Sequence, residues 1–188
     1  MNQEEVWNKL YSGNSVSWRG SSQIPVPNSG CALDLGCGNG KTVISLKEAG
    51  YHVTGVDFSS VAIDYCRNTF DDATFEVASV CDLPFEDKSF DYITAVHVLE
   101  HLNDDQLADA VSEIARVLRP EGYLFVRCFT EKDMRSQKRA SSEIFYRFYD
   151  ENAIIKAFEG FSIVSMDAIE EKTRFGTIRS RVEALMKP

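Results

Sequence analysis

Residues Leu33 to Thr42 read LDLGCGNGKT. Three glycines, Gly36, Gly38 and Gly40, fall within five positions directly after an apolar run. A residue without a Cβ lets the backbone turn sharply or press against a ligand, so the question is which ligand the spacing suits. A phosphate-gripping P-loop requires G-x-x-x-x-G-K-[ST], and its first glycine would fall where Leu35 stands. The dinucleotide fingerprint G-x-G-x-x-G would put its third glycine where Lys41 stands, one residue past Gly40. What remains is D-x-G-x-G-x-G, in which Asp34 closes a strand and only the following helix N-terminus offers anything to a phosphate.

Outward from this loop, apolar β-branched runs alternate with helical periods. CALDL (31–35) reads as a strand, and GKTVISLKEA (40–49) as a helix stopped by Gly50, which suits the left-handed position beyond a helix end. HVTGVD (52–57) is a second strand, after which Ser59 or Ser60 caps a helix carrying Val61, Ala62, Tyr65 and Cys66. ATFEVAS (73–79) and FDYITAVHV (90–98) read as a third and a fourth strand. Asn103 and Gln106 form a capping box for a helix with Leu107, Ala110, Val111, Ile114, Val117 and Leu118 on one face, ended by Pro120 and Gly122. GYLFVRCF (122–129) is almost continuously apolar, as a strand buried on both faces must be.

The C-terminal third changes character. Residues 130–143 are polar and read as a loop or lid, followed by the aromatic cluster Phe145, Tyr146, Phe148 and Tyr149. Asp150 caps a short helix through Phe158, and two strands, 161–169 and 176–186, complete the chain. In the last, Ile178, Ser180, Val182, Ala184 and Met186 oppose Thr177, Arg179, Arg181, Glu183 and Leu185, an alternation that suits an antiparallel strand with one partly solvated face. Together these units predict a doubly wound α/β sandwich with its ligands at the C-terminal ends of the strands.

Bulk properties narrow the chemistry. At 188 residues the chain suits a single domain with its own core. The formal charge of -9 argues against a nucleic-acid partner, which draws on clustered Lys and Arg, and in favour of a small-molecule acceptor or substrate. The N-terminus MNQEEVWNKL lacks a basic apolar leader, and no run approaches eighteen apolar residues, so no membrane association and a cytoplasmic location are expected. Cys31, Cys37, Cys66, Cys81 and Cys128 form no C-x-x-C pair and read as reduced, mostly buried thiols; no metal-ligand set is assigned.

On this strand reading Asp34, Asp57 and Asp82 ring one crevice. Asp57 lies 21 residues after Gly36, about the spacing at which a carboxylate accepts hydrogen bonds from both hydroxyls of a ribose. A pyrophosphate beside Asp34 would meet like-charge repulsion in a drying crevice, which disfavours NAD. S-adenosylmethionine carries no phosphate and has a net positive charge, which an acidic crevice attracts.

The segment from Ala32 to Gly40, Asp57 within VTGVDFSSVAIDYCR, VCDLPFEDKSFDYI (80–93), VHVLEHL (96–102) and IARVLRPEGYLFV (114–126) resemble the successive motifs of class I S-adenosylmethionine-dependent methyltransferases. The resemblance covers about residues 31–129; small ubiquinone-biosynthesis and tellurite-resistance types are similar. It implies a Rossmann-like, seven-stranded, mostly parallel sheet with the last strand antiparallel, in a three-layer α/β/α sandwich. The domain then divides into an N-terminal helix and cap segment (1–30), a cofactor-binding core (31–129) and a lid-like loop, helix and C-terminal strands (130–188). By the same resemblance Asp34 and Gly40 frame the loop, and Gly36, Cys37 and Gly38 pass under the methionine part. Asp57 binds the ribose, Phe58 flanks the adenine, Cys81, Asp82 and Leu83 address its amino edge, and Ala95 and Val96 offer backbone beside the methyl group. Relatives fold an N-terminal segment over the cofactor, so Tyr11, Trp18 or Arg19 closes the pocket. His97 and His101 are the candidate bases.

Blander readings stand beside these. The glycines can serve a tight turn, Asp57 can cap a helix, Asp82 can begin an Asx turn ahead of Pro84, and the histidines can merely pack. Arg135, Lys138 and Arg139 read either as a solvated loop face or as a lid gripping an anionic acceptor. A chain that binds S-adenosylmethionine or S-adenosylhomocysteine without catalysis, as a sensor or partner module, fits the same residues, and the oligomeric state is left open.

Overall fold

A computed structural model describes residues 3–12, 21–136 and 143–188. Seven strands form one sheet in the order β3-β2-β1-β4-β5-β7-β6. They are β1 (Cys31–Leu35), β2 (His52–Asp57), β3 (Thr74–Val77), β4 (Phe90–Val96), β5 (Leu118–Phe129), β6 (Ser162–Lys172) and β7 (Ile178–Lys187). Every pairing from β3 to β5 is parallel, and β7 runs antiparallel to both β5 and β6. The helices are α1 (Gln3–Ser12), α2 (Lys41–Glu48), α3 (Ser60–Thr69), α4 (Asp104–Val117) and α5 (Glu151–Ala157).

Alternation along the central strands divides the apolar residues between two layers. Leu33 and Leu35 of β1, with Leu124, Val126 and Cys128 of β5, pack against Ala110, Ile114 and Val117 of α4 and Ile154 of α5. Ala32, facing the other way, joins Val43 and Leu46 of α2 and Ile63 and Cys66 of α3. This is the three-layer α/β/α arrangement.

Helix ends form where capping side chains can satisfy the free amides, each such cap contributing about 1 kcal/mol. Ser59 accepts from the Ala62 N–H, and Asp150 from that of Ala153. Asn103 and Gln106 make both halves of a capping box. Gly50 takes φ 88 behind α2.

Of the element boundaries that differ from the sequence expectation, two have a clear structural cause. The strand assigned to 122–129 begins at Leu118, because Leu118 pairs with Phe90 and the ladder resumes at Tyr123 opposite Tyr92 after a register shift. Pro120, which has no N–H to donate, falls inside that irregularity. The fourth strand ends at Val96 rather than Val98, because His97 adopts φ 60 and turns the chain out of the ladder.

The segment 21–29 runs over the α2–α3 side of the sheet. Its Ser22 N–H donates to the Ser45 hydroxyl and the Lys41 carbonyl, Arg127 of β5 donates to Ser22 Oγ and the Gln23 carbonyl, and Tyr92 donates to the Pro25 carbonyl. β6 forms the sheet edge and is exposed along most of its length. Among the described residues no helix is long and apolar enough to cross a membrane.

Candidate active site

The glycine loop is held from three sides. Gly36, Gly38 and Gly40 take φ of 60, 51 and 79, a region that costs an ordinary residue about 1–2 kcal/mol. The Cys37 N–H donates to the Val56 carbonyl at 2.9 Å, and the Gly38 N–H to Asp57 Oδ2 at 3.0 Å. Asp57 Oδ1 accepts from the Ser59 N–H at 2.9 Å, so one buried carboxylate ties the loop to the turn between β2 and α3. A Cβ on Gly36 would meet Val98 at 2.6 Å, and one on Gly38 would meet the Tyr11 hydroxyl at 2.7 Å.

Two cavities open on this loop and share Trp7, Tyr11, Gly36 and His97 as walls. The smaller, about 270 Å³, is completed by Asp57, Phe58, Ser79, Val80, Cys81 and residues after β4, and among the described residues no Lys or Arg lines it. The larger, about 620 Å³, extends past Cys37, Gly38 and Val96 to the ends of β5 and β7. Trp7 and Tyr11 stack at 5.8 Å on α1 to roof both.

Not every predicted residue reaches a wall. Asp82 is exposed and lines neither cavity, because its N–H donates to the Ser79 carbonyl and a tight bridge turns the chain there. Leu83 is buried in the core, its N–H held by Glu113. Ser79, Val80 and Cys81 form that wall instead. Asp34, Gly40 and Ala95 are buried beneath the loop and line neither cavity. Only Asp34 and Asp57 of the three acidic residues therefore belong to the buried centre. Trp18, Arg19, Lys138 and Arg139 lie outside the described residues.

Beyond β4 the chain builds a histidine–carboxylate pair. The His97 N–H donates to the Arg127 carbonyl at 2.8 Å, its ring stacks on Phe129 at 3.7 Å, and Nδ1 lies 2.9 Å from Glu100 Oε1. Glu100 is fully buried; Oε1 also accepts from the Phe129 N–H at 2.9 Å, while Oε2 has no hydrogen-bond partner among the described residues. Burial pushes the Glu100 carboxyl up, but the charge and hydrogen bond of His97, with His101 and the Phe129 amide, outweigh it and hold the group below its usual range. An ionised Glu100 must accept from Nδ1, which in the neutral imidazole makes Nε2 the lone-pair nitrogen. His101 instead is enclosed by Trp7 and Tyr146 and faces the Phe145 carbonyl at 3.0 Å. The three-residue spacing of His97 and Glu100 was the sequence signal for this pair; nothing in the sequence signalled the positive φ.

Asp34 carries a pH prediction. Its Oδ1 accepts from the Thr94 hydroxyl at 2.7 Å, and its buried Oδ2 has no partner among the described residues. Burial pushes its carboxyl up to about 7; the Thr94 hydrogen bond opposes this and nearby Asp57 adds to it. The folded protein thus holds the proton more tightly than the unfolded chain. Stability falls as pH rises from the ordinary carboxylate range to about 7 and no further, by at most on the order of 4 kcal/mol. Urea midpoints between about pH 4 and pH 8 should decline for the wild type relative to Asp34→Asn; parallel profiles would remove Asp34 as the cause.

Comparison with known proteins bears on the same residues. The family described as "Methyltransferase domain" matches residues 33–126. An O-methyltransferase of Aspergillus nomiae is 37% identical over 101 residues, 50% of this chain and 44% of the relative. A demethylmenaquinone methyltransferase of Tropheryma whipplei is 38% identical over 122 residues, 62% of this chain and 46% of the relative. A tRNA N(3)-methylcytidine methyltransferase of Schizosaccharomyces pombe is 34% identical over 130 residues, 61% of this chain and 42% of the relative. The match spans less than half the length of each of these curated relatives. The crystal structure of a SAM-dependent methyltransferase from Methanosarcina mazei superposes with a TM-score of 0.74 at 22% identity, over 87% of this chain and 93% of that one, and bears on the fold alone.

Proposed function

The chain belongs to the class I S-adenosylmethionine-dependent methyltransferase family, and we propose that it transfers a methyl group from S-adenosylmethionine to a small-molecule acceptor, releasing S-adenosylhomocysteine. The observation that carries this reading is the pair of cavities meeting over Gly36, one acidic and, among the described residues, without Lys or Arg, the other large enough for an acceptor. The residues present fit the cofactor. Gly36 and Gly38 leave bare backbone where a Cβ would close the floor, Asp57 and Phe58 line the smaller cavity as a ribose acceptor and an adenine neighbour would, and among the described residues no Lys or Arg there waits for a phosphate. When bound, S-adenosylmethionine supplies a methyl group already activated by its sulfonium.

The protein's own tasks are then positioning and proton removal. Trp7, Tyr11 and the loop backbone exclude water and hold the acceptor in line, the kind of ordering for which effective molarities reach about 10⁵–10⁸ M. A hydroxyl or thiol acceptor gives its proton to His97 Nε2, and Glu100 fixes the tautomer that can receive it. The single-domain reading and the absence of a nucleic-acid partner rest on one continuous sheet and the charge of -9. Five unpaired thiols support a reducing, cytoplasmic setting.

Calorimetry tests the cofactor assignment. Micromolar S-adenosylmethionine binding with no NADH binding is expected, and methyl turnover against an acceptor panel should follow. Tight NADH binding would overturn the assignment, and S-adenosylmethionine binding without turnover would make the chain a sensor.

A further inference from the structure

The larger cavity is cationic in a protein of net charge -9. Lys41, Arg127, Arg135, Arg179 and Arg181 line it against two carboxylates, Asp133 and Glu171. Several of these charges already have partners. Arg127 is committed to Glu183 at 2.8 Å and to the 21–29 segment. Arg181 is held by Glu183 at 2.6 Å and by Glu171 at 3.1 Å. Both oxygens of buried Asp133 accept from backbone amides, of Arg135 at 3.0 Å and Ser180 at 3.1 Å. Its distance to the Arg135 guanidinium is a loose 3.8 Å. Arg179 has no carboxylate within ion-pair distance among the described residues, although it follows Ile178 at the start of β7, beside the same turn.

The opposite end of the cavity is aromatic. Phe129 stacks with His97 at 3.7 Å and carries the Arg135 guanidinium 4.8 Å over its ring. The Arg135 side chain therefore bridges the ring beside the candidate base to the cationic end.

We infer that this cavity takes an acceptor bearing an acid group, with the acid held at Arg135 and Arg179 and the methylated atom against His97 and Phe129. The inference rests on the methyl-transfer reading and names its substrate class. Arginine suits the role because its planar fork grips carboxylate or phosphate oxygens in pairs.

The test uses the whole chain saturated with S-adenosylhomocysteine, titrated with 4-hydroxyphenylacetate, phenyl phosphate, 4-hydroxyphenylacetamide and tyramine. At least one of the two anions should bind about tenfold or more tighter than the neutral amide, and tyramine weaker still. Which anion leads distinguishes a carboxylate from a phosphate acceptor. Arg179→Ala should abolish most of that preference and Arg179→Glu should turn it toward tyramine, both leaving S-adenosylhomocysteine affinity within about twofold. Equal or absent binding of all four probes to the loaded wild type overturns the inference. So does an Arg179→Ala protein that loses S-adenosylhomocysteine instead, since the arginine would then serve the cofactor's own carboxylate. Failure of S-adenosylhomocysteine to bind the wild type would strike the methyl-transfer reading itself.

Discussion

Replacing Asp57 by alanine lowers S-adenosylhomocysteine affinity at least about 100-fold. The carboxylate holds the Gly38 and Ser59 amides at 3.0 and 2.9 Å, and hydrogen bonds to a charged partner are worth about 1.5–3 kcal/mol each. With the side chain gone, the loop loses its tie to β2 and, on the proposed binding of the cofactor, the ribose loses its acceptor. Folding is weakened as well, because the two amides lose their acceptor, though one effect offsets part of this. Burial raises the Asp57 carboxyl above its ordinary value, against the two amides that lower it, so the native protein already bears a desolvation cost that alanine removes. Calorimetry gives the affinity and a thermal melt the stability. A variant that binds within tenfold of wild type would take Asp57 out of the cofactor site.

His97→Asn reduces methyl turnover by about 10²–10⁴-fold, the usual contribution of a positioned base. Asparagine is chosen because it tolerates the positive φ of 60 found here better than alanine does. The variant loses the proton acceptor together with the ring's contacts to Phe129 and Glu100 but keeps the positive-φ turn, so S-adenosylhomocysteine affinity should move by less than about threefold while turnover falls. Turnover with an acceptor from the panel, measured as labelled methyl incorporated, decides the matter. A loss below tenfold would move the proton transfer elsewhere or mean that the acceptor attacks without giving up a proton.

Strands whose residues are apolar on both faces were legible from sequence, and β1 and β2 have the expected bounds because turn residues flank them closely. The caps at Ser59, Asn103 and Asp150 were equally legible, since each is a local side-chain-to-amide contact. Leu118 was assigned to the preceding helix because its apolar spacing continues that helix's face; its pairing with Phe90, a long-range contact, decides otherwise. The same limit explains the site. The loop and Asp57 lie in one local motif, whereas Asp82 was assigned by strand position, and a bridge to Ser79 turns it outward. The grouping of Arg127, Arg135 and Arg179 depends on β7 inserting beside β5, which spacing along the chain does not reveal.

The open margin at β6 has a consequence for self-association. An unpaired strand edge is a template for another chain, and the exposed apolar residues Ile163 and Val164 would favour such stacking. They fall where the register with β7 slips, between Ile163 and Ser165, and a bulge twists the backbone out of line for a newcomer. Farther along, Asp167, Glu170 and Glu171 line the strand, the two glutamates tied to Lys132 and Arg181, so a second copy would meet a charged margin whose groups are already engaged. Both features work against pairing at this last strand of the sheet.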